Sequence, residues 1–194
     1  LYDNQGNIIV GKKCPFCRTP VPASEKDSME RMKKRMEVGD AYAFFLMGCA
    51  YSHGLYGLPQ NSIKAVECWH KAGKFTYTNI GKAYYNGEGV ERDEKMSKHY
   101  LELSAMEGNV AARHNLGVSE YNAGNYDRAL KHYMIAVRGG HTKSLKVIQR
   151  MYKEGNATKD QYANALRSHQ VYINEIKSDQ RDKAAAFSDN YRYY

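Results

Sequence analysis

The sequence predicts an all-α fold in which about four helix-turn-helix pairs stack as an α-solenoid. Three observations lead to this class. A glycine-centred segment recurs along the chain, each copy is followed by a second segment with helical spacing, and no stretch after residue 22 shows the apolar-polar alternation of a β-strand. Such repetition is typical of solenoids, because each helix pair covers the apolar face of its neighbour.

The recurring segment occurs four times. FLMGCAYSHG (45–54) and TNIGKAYYNG (78–87) share a glycine, a tyrosine three residues later, and a second glycine three residues after that. RHNLGVSEYNAG (113–124) has one additional residue between its glycines, and KVIQRMYKEG (146–155) has Ile148 in place of the first glycine. The spacings of 33 and 36 residues between successive first glycines suit a unit of two helices.

A second helical segment follows each copy and contains an aromatic residue or a histidine. Small or slim residues precede these large ones by four positions, which favours close nesting against a neighbouring helix. The pairs are Ala65 and Trp69, Met96 and Tyr100, Ala129 and Tyr133, and Ala165 and His169. Asn61 and Thr158 are predicted N-caps, and a left-handed glycine is expected after the second helices, at Gly73, Gly108 and Gly139.

Flanking segments complete the predicted organisation. Ser24 to Glu37 is predicted to be a helix with Ser24 as N-cap and an apolar stripe of Met29, Met32 and Met36 that covers the first repeat. The last helix is expected to continue past Ile176, ending in a tail that frays. The predicted segments are an extended 1–22, a capping helix within 23–39, repeats at about 40–74, 75–109, 110–141 and 142–178, and a final 179–194.

The repeat pattern resembles the Sel1-like repeat family, a relative of the tetratricopeptide repeats. TNIGKAYYNGEGVERDEKMSKHYLELSAMEGN carries the resemblance best, and GNYDRALKHYMIA is nearer to an ordinary tetratricopeptide unit. The resemblance implies a right-handed superhelix of antiparallel helix pairs that serves as a scaffold for protein partners. It does not imply catalysis, and the residues show no acid pair, Ser-His-Asp set or phosphate-binding loop.

The tetratricopeptide register, carried over to these positions, predicts which side chains face a partner on the concave surface. The additional residue between Gly117 and Gly124 leaves the register of the third repeat open, and packing between repeats is an equal alternative for each tyrosine. The candidates are Phe45, His53, Lys82, Tyr85, Asn86, His114, Tyr121, Asn122, Gln149, Tyr152 and Lys153.

The segment KKCPFCRTPVP (12–22) contains a C-x-x-C pair, Cys14 and Cys17. A redox dithiol needs a helix that starts at the first cysteine, which Pro20 and Pro22 disfavour. The pair resembles the closing half of a RING zinc finger, but a structural zinc site needs four ligands and residues 1–13 contain no Cys or His. We favour this half-RING over a chance surface pair, and we expect no stable metal site within residues 1–22 alone.

Composition limits the other function classes. The formal charge of +8, from 29 Lys and Arg against 21 Asp and Glu, is compatible with nucleic acid or acidic protein partners. The densest basic run, RMKKRM (31–36), has methionines at helical spacing and indicates a solvated helix face, so we do not expect nucleic-acid binding. AYAFFLMGCAY (41–51) is too short to span a membrane, and four cysteines without a disulfide framework favour an intracellular, cytoplasmic setting.

These observations predict a scaffold or adaptor for protein or peptide partners, with no catalytic residue and no cofactor in this chain. The alternative is the substrate-recognition part of a RING-type ubiquitin ligase. In that case zinc ligands would precede Leu1, as the non-methionine start suggests, and the RING would hold a ubiquitin-conjugating enzyme.

Overall fold

Nine α-helices and one short 3-10 helix make up the part of the chain that the structure, a computed structural model, describes: residue 22 and residues 24–178. These helices fall into two units, one through Arg92 and one from Asp93. The N-terminal unit contains α1 (Glu25–Glu37), α2 (Ala41–His53), α3 (Ser62–Ala72), the 3-10 helix (Gly73–Thr76) and α4 (Tyr77–Asn86). The C-terminal unit contains α5 (Glu94–Met106), α6 (Val110–Asn122), α7 (Tyr126–Arg138), α8 (Thr142–Lys153) and α9 (Lys159–Ile176).

Side-chain caps begin most of these helices. Asn61 Oδ1 accepts from the Lys64 N–H at 3.0 Å, as its predicted N-cap role requires. Thr158 and Gln161 form a reciprocal capping box at the start of α9. Ser24 Oγ accepts from the Asp27 N–H at 3.1 Å, so α1 starts where the sequence predicts.

The packing of glycine against an aromatic ring explains the repeat pattern. Gly48 of α2 lies against Trp69 of α3, and a Cβ atom there would overlap the indole ring. Gly117 of α6 has the same relation to Tyr133 of α7, whose Cε1 would lie 2.6 Å from an added Cβ. In the last pair, α8 and α9, the buried Ile148 takes the glycine position.

The methionine stripe of α1 packs on α2, as predicted. Met29 and Met32 are buried with Ala43 and Met47, and Met36 packs against the same cluster. α1 therefore covers one side of the first repeat, and its basic residues Lys33 and Lys34 stay exposed.

Two predicted helix ends are wrong. The left-handed residue after α7 is Gly140 (φ +82°), whereas Gly139 has φ −87°. The chain reverses one residue later because the His141 N–H donates to the Ala136 carbonyl at 3.0 Å. α9 stops at Ile176, and Lys177 has an extended backbone with ψ 137°. Lys177 and Ser178 are exposed, so burial does not hold these two residues in the helix.

The predictions for residues 1–21 and for the tail after residue 178 lie outside the described residues. Within the described ranges, no helix has the length and apolar character needed to cross a membrane.

Candidate functional site

Helices α6 and α8, the first helices of consecutive repeats, meet through polar and aromatic side chains. The Tyr121 hydroxyl donates to Glu154 Oε2 at 2.5 Å. The Arg150 guanidinium lies 5.2 Å from the centroid of the Tyr121 ring, and its Nε is 3.7 Å from Glu154 Oε1. The hydrogen bond to Glu154, together with burial, raises the pKa of Tyr121. This cluster fixes the side chain of Tyr121 between the two helices.

His114 connects the same two helices nearer their other ends. Its Nδ1 lies 2.9 Å from Ser144 Oγ, and Ser144 is fully buried at the start of α8. The His114 ring packs against His141 and Tyr133, with centroid distances of 4.6 Å and 5.5 Å. His114 therefore packs between repeats, an arrangement that the sequence left open for the tyrosines.

The candidates on α8 are more accessible. Gln149, Tyr152 and Lys153 are exposed, and the Tyr152 ring stacks on Tyr162 of α9 with centroids 5.5 Å apart. Gln149 and Lys153 make no hydrogen bond or ion pair within the described part of the chain. Asn122 is exposed at the end of α6. All four side chains are exposed to solvent.

The candidates of the N-terminal unit lie on α2 and α4. Phe45 is half-buried beside Tyr42, and His53 Nδ1 lies 2.9 Å from the Cys49 carbonyl oxygen. Most residues of their helix, α2, are apolar. On α4, Lys82 is exposed, Tyr85 lies under the Arg92 guanidinium at 5.8 Å, and Asn86 Nδ2 donates to Glu88 Oε1 at 2.9 Å.

A pocket of about 840 Å³ adjoins the Tyr121 cluster at the turns between α6 and α7 and between α8 and α9. The Tyr126 ring contacts that of Tyr121 edge-on at 5.2 Å and lines the pocket. Most of the other lining residues are polar or turn residues: Gly124, Asn125, Asp127, Arg128, Gly155, Asn156, Ala157, Thr158 and Gln161. Amides and exposed backbone at such turns suit hydrogen bonds to a peptide.

The sequence did not identify Arg150, Glu154, His141 or Ser144 as members of this surface. Arg150 and Glu154 follow the repeat position of Ile148 by two and six residues, and their partner Tyr121 is in the preceding repeat. Only the repeat spacing, extended to contacts between neighbouring copies, could have indicated them. Among the described residues, no three His, Cys, Asp or Glu side chains come together as a metal ion would need.

The structure also settles the register of the third repeat. Glu120, which follows Gly117 by three residues, occupies the position that Tyr51 has after Gly48. Its carboxylate is largely buried and accepts from Lys98 Nζ and Asn125 Nδ2, both at 2.9 Å. Tyr121 is one residue further along α6 and therefore points towards α8.

Comparisons with known proteins identify the repeats. A family model described as Sel1 repeat matches residues 41–74, 76–109 and 110–141, together more than half of the chain. Two solved structures have a TM-score of 0.66 and 23% sequence identity, and each covers 80% of this chain. One is a Sel1 repeat protein from Oxalobacter formigenes, of which 66% is covered. The other, of which 35% is covered, is a protective antigen of uropathogenic Escherichia coli that displays an SLR fold.

A curated protein of Arabidopsis thaliana is 28% identical over 95 residues and is named "ERAD-associated E3 ubiquitin-protein ligase component HRD3B". The match spans 48% of this chain and 15% of that protein's length. The likeness to the solved structures confirms the predicted all-α solenoid class. The family match supplies the identity of the repeat, and the chain belongs to the Sel1 repeat family.

Proposed function

We propose that this chain is an interaction scaffold or adaptor that binds protein or peptide partners along the first helices of its repeats. Sel1 repeat proteins bind protein partners. The observation that carries the proposal for this chain is the surface of α6 and α8. There Tyr121, Arg150 and Glu154 tie the two helices together, while Gln149 and Lys153 remain without partners in the described residues.

The chemistry of that surface suits a peptide. The stacked rings of Tyr152 and Tyr162 offer apolar area whose rotamers are already restricted, so little conformational entropy is lost on binding. Gln149 can both donate and accept hydrogen bonds to a peptide backbone, and Lys153 supplies a charge. On α4, Lys82 offers a comparable exposed cation.

The test uses a partner isolated with the wild-type chain and then purified, so that a Kd is measured. One variant carries Gln149→Ala and Lys153→Ala on α8, and a second carries Lys82→Ala and Asn86→Ala on α4. We expect at least one of them to weaken binding about tenfold or more, as truncation of central interface residues does. A control with Lys159→Ala and Arg167→Ala, exposed on α9, should bind normally. Unchanged affinity in both test variants, with unchanged circular dichroism, would refute the proposal.

As a second candidate, we propose that the full-length protein is part of a RING-type ubiquitin ligase in which these repeats select substrates. Two observations favour it: the C-P-x-C pair at Cys14 and Cys17, and the similarity to the Arabidopsis protein, whose name describes a ubiquitin ligase component. Cys14 and Cys17 would supply two thiolates of a four-ligand zinc site, whose role is to hold the RING in its folded form. The free thiols of Cys49 and Cys68 agree with a reducing compartment such as the cytoplasm.

This candidate is tested with the natural full-length protein. The purified full-length protein is incubated with ubiquitin, the ubiquitin-activating enzyme, a panel of conjugating enzymes and ATP. We expect ubiquitin chains to form. A Cys14→Ser/Cys17→Ser variant should lose that activity and still bind the partner found above. If the sequence encoded upstream of Leu1 lacks further Cys and His pairs, the ligase proposal fails while the scaffold proposal stands.

A further inference from the structure

A second surface of the C-terminal unit is a groove between α5 and α7, with α6 as its floor. It has a volume of about 360 Å³, and we call it the α5–α7 groove. Its lining consists of Lys98 and Glu102 from α5, Glu120 from α6, and Arg128, Lys131, His132 and Ile135 from α7. None of the residues predicted to contact a partner lies in it.

The carboxylate at the floor of this groove is already paired with a cation of the protein. Both oxygens of Glu120 accept hydrogen bonds, one from Lys98 and one from Asn125. The hydrogen bond from Lys98 holds the pKa of Glu120 below its usual range, so the group stays ionised and paired. The charge of Lys98 is therefore largely compensated by Glu120.

Two cations at the rim of the groove are not paired with a carboxylate in this way. Arg128 and Lys131 are exposed and make no hydrogen bond or ion pair within the described residues, although Arg128 feels the field of Glu120. With Lys98 they give the groove three cations against the two carboxylates of Glu102 and Glu120. Since one cation and one carboxylate neutralise each other, Glu102 alone faces two free cations.

The lining also includes the half-buried His132 and the apolar Ile135. Burial, and then the charge of Arg113, lowers the pKa of His132 and so favours the neutral form of its ring. Its Nδ1 is buried and has no hydrogen-bond partner among the described residues. Ile135, 44% exposed, leaves an apolar surface one helical turn from Lys131.

These features select one kind of occupant. Free cations beside an apolar side chain complement a carboxylate beside an apolar residue, as in an acidic protein segment. A nucleic-acid strand fits less well, because the lining has no Phe, Tyr or Trp on which a base could stack. We propose that the α5–α7 groove binds an acidic, leucine-containing segment of a protein partner, through Arg128 and Lys131.

The proposal is tested with the full chain and a fluorescein-labelled peptide that alternates Asp or Glu with Leu over twelve residues. A matched peptide has Asn and Gln in place of the acids. Fluorescence anisotropy measures the Kd, and backbone amide NMR shifts map the bound residues. We expect the acidic peptide to bind about tenfold or more tightly than the neutral one, with shifts in α5 and α7.

Matched variants decide whether the groove is responsible. Arg128→Gln/Lys131→Gln removes two charges at the rim, and Lys146→Gln/Lys159→Gln removes two exposed charges elsewhere in the same unit. All four side chains are exposed, so both variants should keep the wild-type helicity. We expect an affinity loss of about tenfold in the first variant and less than twofold in the second.

Three results would overturn the proposal: no binding of the acidic peptide at millimolar concentration, equal losses in both variants, or displacement of the peptide by a twelve-nucleotide oligouridine that binds more tightly. The first two exclude a groove-specific acidic site, and the third identifies the patch as a nucleic-acid site. Because this groove and the α8 surface use different side chains, neither test decides the other.

Discussion

The N-terminal unit contains a groove that shares four repeat positions with the α5–α7 groove, yet the chemistry of the two differs. The α1–α3 groove has a volume of about 580 Å³. Its α3 residues Lys64, Glu67 and Cys68 precede Trp69 by five, two and one residues. In α7, Arg128, Lys131 and His132 precede Tyr133 by the same numbers of residues. On α2 and α6, the equivalent residues are Tyr51 and Glu120.

The floor residue determines the difference. In the α1–α3 groove, Phe44, Met47 and Tyr51 form an apolar floor, and Lys64 Nζ lies 5.5 Å from the centroid of the Tyr51 ring. In the α5–α7 groove, Glu120 replaces the ring and recruits Lys98. The repeat fold thus places a groove at equivalent positions of the two units, and the side chain at the position of Tyr51 and Glu120 makes part of its floor aromatic or ionic. We expect substitution at this position to change the chemistry of the groove without changing the fold.

The largest expected effect comes from disrupting the contact between glycine and an aromatic ring that occurs beside both grooves. Gly117→Ala would drive a Cβ atom into the Tyr133 ring, and Gly48→Ala would do the same to Trp69. Overpacking of this kind costs about 1–3 kcal/mol, partly offset by up to about 1 kcal/mol from the better helix propensity of alanine. Urea denaturation should show a net destabilisation in both variants. A more stable Gly117→Ala protein would mean that the ring moves freely and does not define the groove.

A smaller effect should separate the two grooves. Lys98→Met removes the cation that pairs with the largely buried Glu120, and it should destabilise the fold by about 1 kcal/mol. Lys33 lines the α1–α3 groove and pairs with no carboxylate among the described residues, so Lys33→Met should stay within about 0.5 kcal/mol of wild type. Equal losses measured by urea denaturation would contradict an ionic floor in only one groove.

The equivalent positions His132 and Cys68 predict a pH difference. Burial lowers the pKa of His132 in the folded state, so the unfolded chain binds a proton more readily. The contribution of neutral His132 to the free energy of unfolding is fully present above the ordinary histidine pKa. This contribution is lost as the pH falls below that value. Thermal melts at pH 7.5 and 5.5 should show a smaller loss of Tm for His132→Cys, which copies the α1–α3 groove, than for wild type. An identical loss in the two proteins would exclude His132 as the source.

Metal removal is expected to have the smallest effect, with no change in the thermal stability of the helices around either groove. The packing described for α1 through α9 uses apolar side chains, caps and ion pairs. Addition of a chelator should therefore leave the helical melting curve of this chain unchanged. A lower Tm with chelator, or zinc at one equivalent in the purified chain, would contradict the expectation that residues 1–22 hold no stable metal site by themselves.

Much of the fold could be predicted because its determinants are local. The repeated glycine, the aromatic residue of the second helix, the methionine stripe of α1 and the caps at Asn61 and Thr158 all act within one or two turns of helix or between adjacent helices. The end of α9 could not be predicted, since it depends on where packing against other helices stops.

The candidate site was predicted less completely, because contacts between repeats decide it. His114 is an ordinary first-helix position in the sequence, and only the buried Ser144, thirty residues later, identifies it as packing. Glu120 has its partner Lys98 on another helix, twenty-two residues earlier. A charged residue at a position that holds Tyr51 in the first copy was the one sequence feature that could have indicated an ionic groove.

The contact of Trp69 with Gly48 has a spectroscopic consequence. The chain has a single tryptophan, and its ring is buried in the N-terminal unit. Tryptophan fluorescence excited beyond the absorption of tyrosine therefore reports the unfolding of α2 and α3, whereas circular dichroism reports all the helices. Coincident transitions by the two probes would indicate one cooperative protein, and separated transitions would assign the order in which the two units unfold.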